Sequence, residues 1–122
     1  MPQQLVWVDI PALDLPRAIA FYSTVLAHAV HEQAHERGRL AVLPSGPGEA
    51  SACLIEQAGL RPSMDGPLIY LSAEGRLDEA VIAAAACGGQ VLEAPRAIGP
   101  FGYRALILDS EGNRIALYSS QP

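Results

Sequence analysis

From residue 5 to residue 10 the chain alternates as a half-buried strand does, with Val6, Val8 and Ile10 on one face and Trp7 and Asp9 on the other. The period then changes: Leu15, Ile19, Tyr22 and Leu26 recur at helical spacing, Asp14 stands at the N-cap position, and Pro16 fits the first turn. After a polar stretch, residues 40–43 and 52–55 predict two short strands around the turn Pro44-Ser45-Gly46-Pro47-Gly48. Residues 59–66, with Pro62 and Asp65, predict a connecting loop.

The order of elements then returns. Residues 68–73 predict a strand, residues 77–87 an Ala-rich helix ended by Gly88-Gly89, and residues 90–93 another strand. Residues 103–108 and 114–119 predict two more, joined by Asp109-Ser110-Glu111-Gly112-Asn113, where Gly and Asn tolerate positive φ. A shift of 62 residues lays Leu15-Pro16-Arg17-Ala18-Ile19 on Leu77-Asp78-Glu79-Ala80-Val81, and a shift of 65 lays residues 39–43 on residues 104–108. Element order repeats better than residue identity, which predicts an α+β fold built from a duplicated βαβββ unit. Module one spans 1–58, the linker 59–66 and module two 67–122, all in one domain. Neither half can bury its sheet alone, so each needs the other or a second chain.

With 122 residues, half of them apolar, there is material for one compact core. Eight Lys and Arg against thirteen Asp and Glu give a net charge of -5, which repels phosphate backbones and acidic membrane surfaces and argues against nucleic-acid or membrane partners. The start lacks a basic leader, and no apolar run approaches the roughly 18 to 20 residues of a membrane span. A soluble cytoplasmic protein is expected, with Cys53 and Cys87 as reduced thiols.

Asp-Leu-Pro-Arg-Ala-Ile-Ala-Phe-Tyr at 14–22 resembles the helix-opening signature of the vicinal-oxygen-chelate superfamily, the group of glyoxalases, bleomycin-resistance proteins and extradiol dioxygenases. Arg61-Pro62-Ser63 leading to Gly66 and Ile69-Tyr70-Leu71 is similar to the inter-module segment of a small-protein branch of that group. Gly88-Gly89-Gln90-Val91-Leu92, Gly102-Tyr103 and residues 108–115 follow that branch's second module in the same order, so the resemblance covers essentially the whole chain. It implies curved sheets enclosing a cavity, commonly in a homodimer, without fixing the chemistry.

In metal-dependent members the resemblance implies one inward His, Glu or Gln from the first and last strand of each module, a donor set suited to a divalent cation. The corresponding positions here are Trp7, Leu68 (Ile69 if the loop is aligned differently), Ala116 and a residue within 51–53. Of these only Cys53 can ligate, Glu56 being the nearest alternative, and one thiol does not make a site. No metal or other cofactor is therefore expected.

His31-Glu32-Gln33-Ala34-His35 spells HExxH, which on a helix would set two histidines on one face for zinc, with Glu32 as general base of a protease. The strand that the family register requires there would separate His31 and His35 by about 13 Å, and Ala41 stands where an extended motif has its third histidine. The protease is accordingly the minor alternative, and a solvated polar strand or loop the leading reading.

If Trp7 faces the cavity, alternation brings Asp9 with it; Leu68 brings Tyr70 and Ser72, and Ala116 brings Arg114 and Tyr118. Together with Cys53 these form the candidate ligand cavity: an aromatic wall of Trp7, Tyr70 and Tyr118 with Asp9, Ser72 and Arg114 as polar handles. The same aromatics are equally suited to filling space, and an ion pair of Asp9 with Arg114 or Arg104 is an alternative to catalysis. The leading functional reading is a metal-independent protein binding a small organic molecule. The alternatives are a lyase or isomerase using Asp9 as base, with Tyr70 or Tyr118 as proton donor or with a divalent metal held by other groups, and an accessory domain with a filled cavity. Gly99-Pro100-Phe101-Gly102 lacks a phosphate-binding pattern and is expected at a cavity rim or dimer contact.

Overall fold

The computed structural model describes residues 4–36 and 38–122. The first module comprises β1 (Trp7–Pro11), α1 (Leu15–Val25), β2 (Glu32–His35), β3 (Gly38–Val42) and β4 (Ser51–Glu56). The second comprises β5 (Ile69–Ser72), α2 (Leu77–Ala86), β6 (Gln90–Ala97), β7 (Tyr103–Leu108) and β8 (Arg114–Ser119). Each module forms one mixed sheet, ordered β1-β4-β3-β2 and β5-β8-β7-β6, whose first strand runs parallel to its last. The matching order of the two sheets is the α+β duplication that the element pattern implies. No helix among the described residues is long and apolar enough to cross a membrane.

Several boundaries differ from the hydrophobic pattern by one or two residues, as where β3 begins at Gly38 and β5 spans only Ile69–Ser72, and the changes at β1 and β6 bear on the open faces. The first strand starts at Trp7, leaving Leu5 and Val6 exposed before it. β6 runs four residues beyond Glu93 to Ala97, with irregular pairing to β7 between Val91 and Glu93 and between Glu93 and Arg96. Pro95, which has no N–H to donate, lies in the second irregularity, and β6 can hold it because it is an edge strand.

The HExxH reading falls here. Glu32–His35 is a strand, paired antiparallel to β3, so the helical spacing that would bring two histidines to one ion is absent. Glu32 instead receives Arg39 Nε at 2.8 Å and Nη2 at 2.9 Å, a forked ion pair across the two strands that occupies the would-be general base.

Each sheet has a helix-facing side and an open side. Ile10, Ala41, Ala52 and Leu54 of the first sheet and Ala105, Ile107, Ile115 and Leu117 of the second join the buried faces of α1 and α2 in one core that runs through both modules. The helices pack on each other, and Arg76 Nη1 donates to the Val25 carbonyl at 2.7 Å, tying the start of α2 to the end of α1. Asp14 caps α1 through Oδ1 to the Arg17 N–H, as its position in the sequence implies. After α2, Gly89 lies so close to Leu108 O and the Phe21 ring that a Cβ would stand 2.4 Å and 2.8 Å from them, so no other residue fits without displacing backbone.

The β7–β8 turn joins the modules. Asp109 Oδ1 accepts the N–H groups of Glu111, Gly112 and Asn113, each at 2.9 Å, while Oδ2 accepts the Tyr22 hydroxyl at 2.5 Å and Asn113 Nδ2 at 2.9 Å. Glu111 reaches the start of α1: Oε1 accepts the N–H groups of Leu13 and Asp14, both at 2.8 Å, and Oε2 accepts Arg17 Nε at 2.7 Å. Helix starts favour carboxylates because their first N–H groups lack intrahelical acceptors. Burial pushes the Glu111 carboxyl up, but Arg17, the two N–H donors and Ser110 outweigh it and hold the group below its ordinary 4.5. Burial first, then Asp109, holds the Tyr22 hydroxyl well above its ordinary 10.

These shifts fix the sign of the pH response. Glu111 stabilises the fold above its ordinary pKa, and this stabilisation disappears as pH falls through its lowered value; Tyr22 stabilises below about pH 10, and its contribution disappears as pH rises. Urea unfolding at neutral pH should place Glu111→Gln and Tyr22→Phe about 1–3 kcal/mol below the parent chain, because each leaves buried polar groups short of a partner. In a series from pH 7 to pH 3, Glu111→Gln should lose less stability than the parent; parallel curves would remove Glu111 as a source of the acid sensitivity.

Candidate functional site

Strand alternation sets which side chains reach the open faces. On the first sheet these include Trp7 and Asp9 of β1, Leu40 and Val42 of β3, and Cys53 and Ile55 of β4. Leu40, Cys53 and Ile55 are buried as a small second cluster, with Val42 and the linker residue Leu60 against them. Asp9 lies directly across from Cys53 in the parallel β1–β4 pair. Its Oδ1 accepts Trp7 Nε1 at 3.1 Å and the Cys53 thiol at 3.3 Å. Trp7 itself is 45% exposed, so this half of the site combines a carboxylate held by neutral donors with an indole open to solvent.

On the second sheet the open face carries Tyr70 and Ser72 of β5, Arg104 and Leu106 of β7, and Arg114, Ala116 and Tyr118 of β8. Tyr70 sits across from Ala116, and Ser72 across from Tyr118, which faces Arg104 on its other side. Arg104 Nη1 donates to the Tyr70 hydroxyl at 2.5 Å, with the guanidinium carbon 5.9 Å from the centre of the Tyr70 ring. Tyr118 donates its hydroxyl to the Phe101 carbonyl at 2.6 Å, which fixes the turn Gly99–Phe101 at the rim. Gly102 permits that approach: its φ is +110°, and a Cβ there would lie 2.7 Å from Ser119 O and 2.9 Å from the Tyr118 hydroxyl. Tyr70, Ile98, Phe101, Arg104 and Tyr118 line a hollow of about 530 Å³.

The predicted cavity residues therefore divide between two sheets. Trp7, Asp9 and Cys53 form one group, and Tyr70, Ala116 and Tyr118 belong to the other, so Asp9 and the two tyrosines proposed to assist it stand on different sheets. Leu68 precedes β5 and is half-buried. Ser72 accepts the Glu74 N–H at 3.3 Å and lines a second hollow, of about 430 Å³, between the edge strands β1 and β5. Arg114 Nη2 donates to Gly66 O at 3.1 Å, and Arg104 is bound to Tyr70, so the pairings the structure gives these arginines differ from the ion pair with Asp9 weighed in the sequence.

Arg104 is the residue that sequence reasoning undervalued, although a signal existed. Ala105 and Ile107 mark the helix-facing side of β7, which puts Arg104 on the open side in the midst of an apolar strand. Glu56 is excluded as a displaced ligand by its own contacts: Oε2 caps Leu15 N at 2.7 Å, and Oε1 lies 3.7 Å from Arg39.

The positions at which the resemblance implies metal ligands do not fit a divalent ion. Trp7 offers only an N–H donor, Leu68 and Ala116 offer no polar side-chain atom, and the Cys53 thiol is directed at Asp9. Among the described residues no three His, Cys, Asp or Glu side chains gather as a metal would require.

The family model described as Glyoxalase/Bleomycin resistance protein/Dioxygenase superfamily matches residues 4–117. Among solved structures, a glyoxalase/bleomycin resistance protein from Albidiferax ferrireducens T118 superposes with a TM-score of 0.76 at 19% identity, covering 96% of this chain and 98% of that one. A family enzyme from Burkholderia phytofirmans PsJN gives 0.70 at 20% identity, covering 97% and 99%. A glyoxalase I mutant from Zea mays gives 0.72 at 18% identity, covering 98% of this chain but 47% of that one, so this chain spans about half its length. No curated protein matches the sequence.

The two thiols separate the open face from its surroundings. Cys53 is 1% exposed and Cys87 half-buried. A disulfide-exchange reagent should label one thiol per native chain quickly, Cys87, and reach Cys53 only on unfolding. Equal rates for both in the native protein would contradict the burial of Cys53.

Proposed function

The chain belongs to the glyoxalase/bleomycin resistance protein/dioxygenase superfamily, and from that premise we propose that it is a metal-independent small-molecule-binding protein whose ligand rests on the open sheet faces and is enclosed by a second copy of the chain. The observation that carries this reading is the substitution of the ligand positions: Trp7, Leu68, Cys53 and Ala116 replace a donor set, while the same faces bear aromatic rings and oriented polar groups. The large apolar side chains left open, Trp7 at 45%, Tyr70 at 46% and Phe101 at 71%, supply surface for a ligand and for a partner copy.

Support for the second copy lies in the division of the site. The hollow on the second sheet is lined by five residues of module two and by neither Trp7 nor Asp9. A twofold dimer that sets the first sheet of one chain against the second sheet of the other unites the two groups twice. Catalysis with Asp9 as base is the weaker reading, because Asp9 Oδ1 is already committed to two donors on its own sheet.

Light scattering on the purified protein is expected to give twice the chain mass, and elemental analysis without chelator well under one divalent ion per two chains. A screen of aromatic metabolites should raise the melting temperature, since a ligand that binds only the native state stabilises it. One tightly held ion per chain overturns metal independence, and a monomer at micromolar concentration overturns the shared site.

A further inference from the structure

The second sheet's open face carries a positive charge whose setting selects a ligand class. Arg104 starts on β7 and reaches Tyr70 on β5, so its side chain crosses the intervening β8. Ala116 allows that crossing: it lies between Tyr70 and Leu106 in the register, is fully buried, and projects only a methyl group. The guanidinium thus lies across the very row of the sheet where the resemblance implies a metal ligand.

Its charge is incompletely matched. Arg104 Nε is buried without a hydrogen-bond partner among the described residues. Glu93 Oε1 stands 3.8 Å away, within range of ion pairing but beyond a hydrogen bond, and that oxygen already accepts Arg96 Nε at 3.0 Å. Two guanidinium groups share one carboxylate, which leaves about one positive charge in surplus by simple charge counting. Arg114, on the same face, holds the other buried Nε without a partner among the described residues. In a chain of net charge -5 this is a local reversal of sign, walled by Tyr70, Phe101 and Tyr118.

We propose that Arg104 is the anion-recognition residue of this hollow and that the ligand is a planar aromatic monocarboxylate, its ring against Tyr70, Phe101 and Tyr118 and its carboxylate on the guanidinium. This rests on the reading that the open faces bind a small molecule. Planarity follows from the aromatic walls and the ring-stacking habit of guanidinium, and the carboxylate from its forked complementarity to that group. A doubly charged phosphate fits less well: Glu93 lies 3.8 Å from Arg104 and repels a second negative charge, and the Gly99–Phe101 turn is tied to Tyr118 through the Phe101 carbonyl, an acceptor rather than an anion-binding N–H. Tyr70 acts as a positioning residue that holds Arg104 over Ala116.

Calorimetric titration with 2-naphthoate, the isosteric 2-naphthamide and phenyl phosphate tests the assignment. The native protein should bind 2-naphthoate at least about tenfold more tightly than the amide, and more tightly than phenyl phosphate; that tenfold corresponds to one salt-sensitive charge-assisted contact. Arg104→Met should bring the ratio of carboxylate to amide affinity down to about one, whatever its effect on the amide itself. Arg104→Lys should recover part of the preference, and should Arg104→Met not fold, a carboxylate-to-amide ratio below the native one in Arg104→Lys carries the test. Equal binding of carboxylate and amide by the native protein, a preference that survives Arg104→Met, or tighter phenyl phosphate overturns the ligand class while leaving small-molecule binding intact. No binding of any of the three probes overturns both readings.

Discussion

The geometry of this molecule depends on two carboxylates in the five-residue turn between β7 and β8. Asp109 and Glu111 are both buried, and a buried carboxylate is tolerated only when its lone pairs are met. Asp109 meets that condition with the turn's own N–H groups, Asn113 and the Tyr22 hydroxyl, and Glu111 with the open N–H groups ahead of α1 and with Arg17. The turn of one module therefore completes the helix start of the other. Asn113 Nδ2 adds a bond to Pro11 O at the end of β1, so the same few residues set the position of that strand as well. With α1 held against α2 by the shared core and Arg76, the two sheets are placed as one unit.

That constraint decides which faces remain available. Each sheet spends its helix-facing side on the common core, and among the described residues no layer of the chain covers the opposite side fully. On the first sheet the linker residue Leu60 packs against the cluster of Leu40, Cys53 and Ile55, while Trp7 stays exposed beside Asp9. On the second, the Gly99–Phe101 turn rises at one edge and leaves a walled hollow. The chemistry of the open faces is thus a remainder of the fold: Asp9 with the Trp7 and Cys53 donors on one sheet, and on the other an excess of guanidinium over carboxylate beside aromatic rings.

Elements were legible in the sequence where local spacing and local caps determine them. Asp14, Pro16 and the helical repeat from Leu15 placed α1, and the alternation at residues 103–108 and 114–119 gave β7 and β8 to the residue. The run Asp109 to Asn113 was readable as a turn, since Gly112 takes φ of +104°. Its role as the clasp between modules was not, because Glu111 finds its partners 97 and 98 residues away, beyond the reach of any local pattern. HExxH shows the converse case: a motif has its chemistry only in the right conformation, and as a β-strand it is a polar edge with Glu32 bound to Arg39. The candidate cavity was readable face by face from alternation, but its partition between two sheets and the reach of Arg104 across Ala116 depend on register, which a single sequence encodes only weakly.

The contrast between a guanidinium and a divalent ion limits what this face can do. A metal ion in a protein both attracts oxygen ligands and acts as a Lewis acid, polarising carbonyls and lowering the pKa of bound water. A guanidinium attracts and orients an oxyanion through fixed N–H groups, but it accepts no electron pair and does not titrate near neutrality. Placed over Ala116 and steadied by Tyr70, Arg104 would on the proposed reading supply the recognition half of that function without the activating half. Asp9, the carboxylate weighed as a base, is on the other sheet and engaged by Trp7 and Cys53, while Glu93, 3.8 Å from Arg104, is bonded to Arg96. Separating Arg104 from Asp9, and surrounding the guanidinium with aromatic surface, is the arrangement on which the proposal of a binding protein rests.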